Sequence, residues 1–475
     1  MTHERRFQPR ARLLALCLLA VGCTKRDAPP PVAPEVTADA GASDESADAC
    51  RNWSDLDPST LEPVPESQWA ETLERVWRTV LTKHYDPTLA CLDWPALRIQ
   101  YATQLVDAKS EGEAYGILNR LLGELGQSHL AIVPPRTRVE GEPRTGEATG
   151  SASVPIRVRV VEDKLVVTQS EVDGVRSGIP AGAEVVAIDE LEIAPVLEQQ
   201  RSLWKRDVEY TLHVLRIAGA ALSCETGAKR TIRYIAHGKD KEASKTVKCH
   251  ERKVERMTMG NIQNVPIEVT HRMLDRKGEA PRDAGVGYLS FNVWMMPLVP
   301  KIEQAIADLR QRGMQSLVID LRGNPGGVGM MVVPLARQLV AESGSLGVMR
   351  MREADQHFNF TAGGDPFTGP IAVLVDEGTG STSEIFAQAM RDLDRVQVFG
   401  ASTSQGAALP SLIEELPGGA ILQYVVADYV SPTGTAVEGS GVAPDVLVEE
   451  TRADYAAGKD PVLAAAIAAL TQPAQ

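Results

Sequence analysis

Ser381 follows a short apolar run, Ile371-Ala-Val-Leu-Val375, and a Gly-Thr-Gly turn, and a helical pattern begins directly after it. A hydroxyl displayed there faces the positive end of a helix, which favours negative charge developing beside it. A second apolar run, Ser316-Leu-Val-Ile-Asp320, ends in Leu-Arg-Gly-Asn-Pro-Gly-Gly327, where glycine amides allow close approach of another chain. A nucleophile beside open amides is what acyl transfer requires. A plainer reading competes, because Ser381 and Glu384 have capping-box spacing and Ser381 could serve only to start the helix. Thr379 and Ser383 are rival hydroxyls in the same turn.

Strands and helices alternate from residue 285 onward, which predicts a βαβ-type sheet over residues 256–475. Expected helices lie near residues 299–312, 329–342, 383–391 and 461–470, and residues 354–370 read as a polar loop. Upstream, Trp69, Leu73, Val76, Trp77, Val80 and Leu81 recur on one helix face. Two more helices follow Asp93 and Ser110, the latter stopped by Gly126. His129 sits in the loop after it, so residues 61–150 form a small helical domain ending in a histidine loop. Residues 151–255 are β-rich, and Ser177-Gly-Ile-Pro-Ala-Gly-Ala-Glu-Val-Val-Ala-Ile-Asp189 resembles the glycine turn and strand of a PDZ domain. That resemblance implies an extended polypeptide added at a sheet edge. The chain is therefore read as α/β multidomain: helical domain, PDZ-like domain, α/β core.

A chain of 475 residues exceeds a single core. With 43% hydrophobic and 24% charged residues it has the composition of a soluble globular protein, and its net charge of −14 argues against a nucleic-acid partner. Residues 1–22 combine a basic start with an apolar stretch too short to cross a bilayer, a processing signal. It ends Leu19-Ala-Val-Gly-Cys23, which resembles a bacterial lipobox; Cys23 would carry lipid and tether the chain to the cell envelope on its extracytoplasmic side. Residues 23–60 are Pro-, Ala- and acid-rich and read as a disordered tether. Four cysteines remain, Cys50, Cys91, Cys224 and Cys249. Nearest-neighbour pairing predicts Cys50–Cys91 and Cys224–Cys249, one of three connectivities.

Helical unit, PDZ-like unit, "IDLRGNPGG", "VDEGTGSTSEIFAQAM" and "VEGSGVAPDV", in that order, are similar to the tail-specific (C-terminal processing) serine proteases over roughly residues 66–470. The resemblance places the nucleophile at Ser381. One branch of that family takes its general base from a lysine, and here Gly406 occupies that place. The other branch, which includes the core of tricorn protease, uses a histidine loop and a distant glutamate. Leu125-Gly-Gln-Ser-His129 and Glu438-Gly-Ser-Gly-Val-Ala-Pro-Asp445 match it. By resemblance His129 is the base, Ser128 and Glu438 orient it, and Thr382 with Gly326, or failing that Gly327, forms the oxyanion hole.

Gly327-Val-Gly lacks the third glycine and acidic partner of a dinucleotide loop. No metal-ligand or Walker motif appears, so neither cofactor nor metal is implied. The expected activity is hydrolysis of unfolded or extended polypeptides. The alternative is a non-catalytic protein that binds peptides or apolar ligands on the same scaffold.

Overall fold

The computed structural model describes residues 50–134, 152–259, 262–274 and 285–471. The signal segment, Cys23, most of the expected tether and the linker after the histidine loop lie outside the described residues. Residues 50–60, assigned to the tether on composition, pack instead. Trp53 is buried and its indole donates to the Leu92 carbonyl at 3.0 Å, while Cys50 is bonded to Cys91. Cys224 is bonded to Cys249. Closing loops of 41 and 25 residues restricts the unfolded chain by about 3–4 kcal/mol each.

The first unit holds helices α1 (Ala70–Lys83), α2 (Trp94–Val106) and α3 (Glu111–Gly123). Asp93 caps α2 and Ser110 caps α3 through their side chains. Trp77 and Trp94 are fully buried and trade indole hydrogen bonds, each to the other's carbonyl, at 2.8 and 3.1 Å. The helices do not close a core alone. Strand β1 (Ala131–Val133) pairs antiparallel with residues 421–423, and Leu416, Ala420, Leu422 and Tyr424 complete the helical core. The histidine loop is thereby fastened to the far end of the chain.

The second unit is an antiparallel sheet of strands β2 (Arg157–Val161), β3 (Lys164–Gln169), β4 (Glu184–Ile188), β5 (Lys229–Ile235) and β6 (Glu242–Lys248), in spatial order β6-β5-β4-β3-β2. Helices α4 (Ile193–Leu203) and α5 (Asp207–Leu222), absent from the sequence reading, pack on it through Ile193, Val214 and Ala218.

The third unit carries a twisted sheet with helices on both faces. Its strands are β7 (Val269–Leu274), β8 (Val286–Phe291), β9 (Ser316–Asp320), β12 (Ile371–Val375), β13 (Gln397–Gly400) and β17 (Val446–Leu447), side by side in that order. All neighbours after β7–β8 run parallel. Helices α6 (Val299–Gln311), α7 (Val332–Leu339) and α8 (Thr382–Asp392) pack on one face, and α10 (Pro461–Leu470) on the other, after the short α9 (Arg452–Ala456). Strands β10 (Gly344–Met351), β11 (Gln356–Phe360) and β16 (Ala427–Val430) make a small sheet, and β14 (Ser411–Glu415) with β15 (Ile421–Val425) makes the hairpin that receives β1. The expected polar loop at 354–370 thus contains a strand, because alternation in Gln-His-Phe-Asn-Phe360 buries Phe358 and Phe360. Strands β9 and β12 are neighbours, so the loops leaving their carboxyl ends meet.

Truncating Trp77→Ala should destabilise the chain by about 3–5 kcal/mol, since it opens a cavity and orphans the Trp94 carbonyl. Urea denaturation should show the midpoint falling by that amount; a change under about 1 kcal/mol would mean the helical unit does not depend on this pair.

Candidate active site

Ser381 lies at the carboxyl end of β12 with φ +52° and ψ −120°, a strained elbow for a residue bearing a Cβ, and is 2% exposed. Three contacts hold that elbow. Its N–H points at the Ala407 carbonyl and at Glu384 Oε2, both 2.9 Å away. The predicted capping spacing is realised from the Glu384 side, whose carboxylate reaches back to the Ser381 N–H, while the Glu384 N–H bonds the Ser381 carbonyl at 2.8 Å. Glu384 does more than cap. Its buried carboxylate also accepts Ser404 Oγ at 2.5 Å and the N–H groups of Gly406 and Ala407 at 2.7 and 3.0 Å. Burial pushes its pKa up to about 7 against those donors.

The turn at 404–407 is tight at position 406 and strained for any residue but glycine. Gly406 has φ +74°, and a Cβ there would stand 3.0 Å from Gly439 and Gly441 backbone atoms and 3.1 Å from the Arg206 guanidinium.

Gly326 packs against the nucleophile so closely that a Cβ on it would fall 2.6 Å from Ser381 Cβ. Its N–H, the first choice for a second oxyanion donor, is already given to Asn324 Oδ1 at 3.0 Å. Gly327 differs. Trp294 and Val328 take up the hydrogen bonds on one side of this loop, while Thr382 Oγ1 donates to the Gly327 carbonyl at 2.9 Å. Among the described residues the N–H groups of Gly327 and Thr382 meet no acceptor. The amide nominated in reserve is the open one, because an asparagine two residues upstream folds back on its neighbour.

His129, at φ +57° and 5% exposed, is held through Ser128. Glu438 accepts the Ser128 N–H at 2.8 Å and the Ser128 hydroxyl at 2.9 Å, and takes the Ala408 N–H at 2.8 Å. The Ser128 oxygen lies 2.7 Å from His129 Nδ1. Having donated its proton to Glu438, that hydroxyl accepts from Nδ1–H, which leaves the lone pair on Nε2. Burial holds the imidazole pKa down to about 4 and pushes the Glu438 carboxyl up. Consecutive residues join the two halves of the site: Ala408 bonds Glu438, and Ala407 bonds Ser381. Among the described residues no hydrogen bond links His129 directly to Ser381.

The β-rich unit reaches the same turn. Arg159 of β2 extends to Asp376 Oδ2 and Glu377 Oε2, each at 2.8 Å, and to Glu450 Oε2 at 3.2 Å. Asp376 Oδ1 in turn takes the N–H groups of Gly323 and Gly378 at 2.7 and 2.9 Å, tying the nucleophile loop to the Asn324–Gly327 loop. Sequence reasoning missed Arg159, Asp376, Asn324 and the full role of Glu384. Only Glu384 left a trace, its capping spacing. No group of three or more potential metal ligands occurs among the described residues.

A strained serine, open amides and a buried histidine–serine–glutamate chain are the parts that serine hydrolysis requires, and the comparisons indicate a serine peptidase. Residues 285–448 match the model of peptidase family S41 and residues 65–123 that of the tricorn protease C1 domain. It is 25% identical over 392 residues to the carboxyl-terminal-processing protease of Picosynechococcus, covering 81% of this chain and 84% of that one. The chloroplastic carboxyl-terminal-processing peptidase 3 of Arabidopsis thaliana is also 25% identical, over 409 residues, 81% of this chain and 70% of its own. The fold is that of the photosystem II D1 C-terminal processing protease, at TM-score 0.53, 20% identity and coverage of 86% and 98%. Mature CPAF complexed with lactacystin shares it at TM-score 0.57, 14% identity and coverage of 84% and 97%.

Replacing Gly326→Ala forces a Cβ into Ser381 at a backbone angle alanine resists. Peptidase activity should fall by roughly 10²-fold, as for a displacement of about 1 Å at the reacting centre. Assay beside a circular dichroism spectrum checks it; full activity in the variant would show that the loop does not have to touch the nucleophile.

Proposed function

We propose that the chain is an endopeptidase acting on extended polypeptides, with Ser381 as nucleophile, His129 as general base, Ser128 and Glu438 as its orienting partners, and the Gly327 and Thr382 amides as the oxyanion hole. The observation that carries this reading is the Ser128 hydroxyl spanning His129 Nδ1 and the Glu438 carboxylate, which fixes the tautomer with Nε2 free.

Ser381 Oγ attacks the scissile carbonyl carbon while its proton passes to His129 Nε2. The imidazolium so formed is stabilised through Ser128 by the Glu438 charge, and the carbonyl oxygen becomes an oxyanion facing the two amides. Collapse breaks the C–N bond, with the His129 proton going to the leaving amine. Water, deprotonated by the same nitrogen, then attacks the acyl-serine and releases the carboxylate product. The family's lysine is unnecessary to this sequence, and Gly406 gives its place to backbone. The β-rich unit is taken as PDZ-like, docking substrate as an added strand. Cys23 is taken as a lipid attachment point holding the enzyme on the extracytoplasmic side of a bacterial membrane.

Ser381→Ala and His129→Ala should each abolish cleavage of an unfolded protein, and a serine-reactive phosphonate should label wild type at Ser381. Equal turnover in either variant would remove the assignment, and absence of labelling would favour a non-catalytic binder.

Because the base works only when neutral, a pKa of about 4 puts the acid limb of kcat/KM near pH 4, well below the ordinary histidine value of about 6.5. Initial rates at low substrate concentration from pH 3.5 to 8 test this. A limb near 6.5 would show that the imidazole is solvated in the free enzyme.

A further inference from the structure

The histidine loop is gripped from two sides, and only one of them is Glu438. On the other, α1 ends in His84-Tyr85-Asp86, and His84 is completely buried. Its Nε2 lies 2.7 Å from the side-chain oxygen of Gln127, the residue before Ser128. Nδ1 lies between the Asp86 N–H at 3.2 Å and the Asp86 carbonyl at 3.1 Å. The Gln127 oxygen, which can only accept, is at the shorter distance, so we place the proton on Nε2 and let Nδ1 accept the Asp86 N–H. The Gln127 amide nitrogen donates to the Tyr85 hydroxyl at 3.3 Å, and the Tyr85 ring stacks on His84 at 4.8 Å. Burial pushes the His84 pKa down; the charges around it are Asp86 on its own turn and Arg352, whose guanidinium bonds the Leu81 carbonyl at 3.0 Å. Tyr85 stays protonated, its pKa pushed up to about 12 by burial and by Asp428, Asp86 and Glu438.

We propose that the His84–Gln127 pair is a positioning device for the catalytic histidine: it holds the loop from the helical side so that Ser128 and His129 keep their register against Glu438. This rests on the reading of His129 as general base. His129 sits at φ +57°, which costs a non-glycine residue of order 1–3 kcal/mol, so the loop relaxes unless something opposes it. Glu438 constrains Ser128 but leaves rotation of the loop about that residue open. The His84 contact one residue earlier removes it. Gln127 and His84 touch no reacting atom and act through the loop.

Gln127→Met keeps the side-chain length and deletes both hydrogen bonds, whereas Gln127→Glu keeps the acceptor for His84 Nε2–H and accepts a hydrogen bond from the Tyr85 hydroxyl instead of donating one to it. With full-length enzyme and a fluorogenic extended peptide, Gln127→Met should lower kcat roughly 10–100-fold with KM within about twofold. The rate of Ser381 phosphonylation should fall in step, with the protein still fully folded under assay conditions by circular dichroism. Gln127→Glu should stay within about threefold of wild type. His84→Ala combined with Gln127→Met should be no slower than Gln127→Met alone, as expected of partners in one interaction. The proposal is overturned by a Gln127→Met kcat within twofold of wild type, by Gln127→Glu losing as much as Gln127→Met, or by additive losses in the double variant. Turnover surviving in Ser381→Ala or His129→Ala would instead refute the assignment of the site on which the proposal stands.

Discussion

One carboxylate, that of Glu438, receives the Ser128 N–H, the Ser128 hydroxyl and the Ala408 N–H. Two of these donors belong to the helical unit and the third to the turn beside the nucleophile, residues some 280 positions apart in the chain. No local propensity brings them together. The meeting is arranged by β1 crossing to pair with β15, and by a hydrophobic core built mainly from the helices and closed by Leu416, Ala420, Leu422 and Tyr424 of the β14–β15 hairpin. Without that shared core the histidine loop has no fixed relation to Ser381.

Much of this was legible beforehand, and the reason differs from part to part. The helices of the first unit announce themselves through a 3.6-residue apolar period and caps at Asp93 and Ser110. Parallel strands β9 and β12 are buried along their whole length and so read as unbroken apolar runs. Helices α4 and α5 were invisible because Gly219, Pro195 and scattered charges interrupt their apolar faces. The site shows the same division. His129, Ser381 and Glu438 stand in recognisable strings, but Arg159 looks like any strand arginine. Only the packed structure reveals it among three buried carboxylates. The sequence reading placed Gly326 before Gly327; what it could not see is that the Asn324 side chain takes up the Gly326 amide.

Charge placement beneath the nucleophile has a consistent logic. Asp376, Glu377 and Glu450 are nearly buried, and one guanidinium from another unit compensates them. Breaking a buried ion pair strands the remaining charges, at a cost of about 3–5 kcal/mol. The β-rich unit therefore cannot shift away from β2's contact without disturbing the loop that Asp376 braces. Arg206 at the head of α5 adds a second contact over the 405–406 turn. The position of that unit and the geometry of the elbow are two expressions of one network.

Ser381 and His129 are both almost inaccessible, yet the proposed chemistry would need a peptide between the serine and the open amides. The strain stored at φ +52° and +57° explains how one arrangement can be both closed and ready. Each residue is held off its relaxed conformation by hydrogen bonds to groups outside itself: Ala407 and Glu384 for the serine, Glu438 through Ser128 for the histidine. These clamps do not involve the faces that a substrate would use, since Ser381 Oγ, His129 Nε2 and the Gly327 and Thr382 amides are absent from them. Under the proposed mechanism a peptide reaches these groups without loosening the clamps that shape them, and burial, by lowering the His129 pKa, leaves its imidazole able to accept a proton near neutral pH.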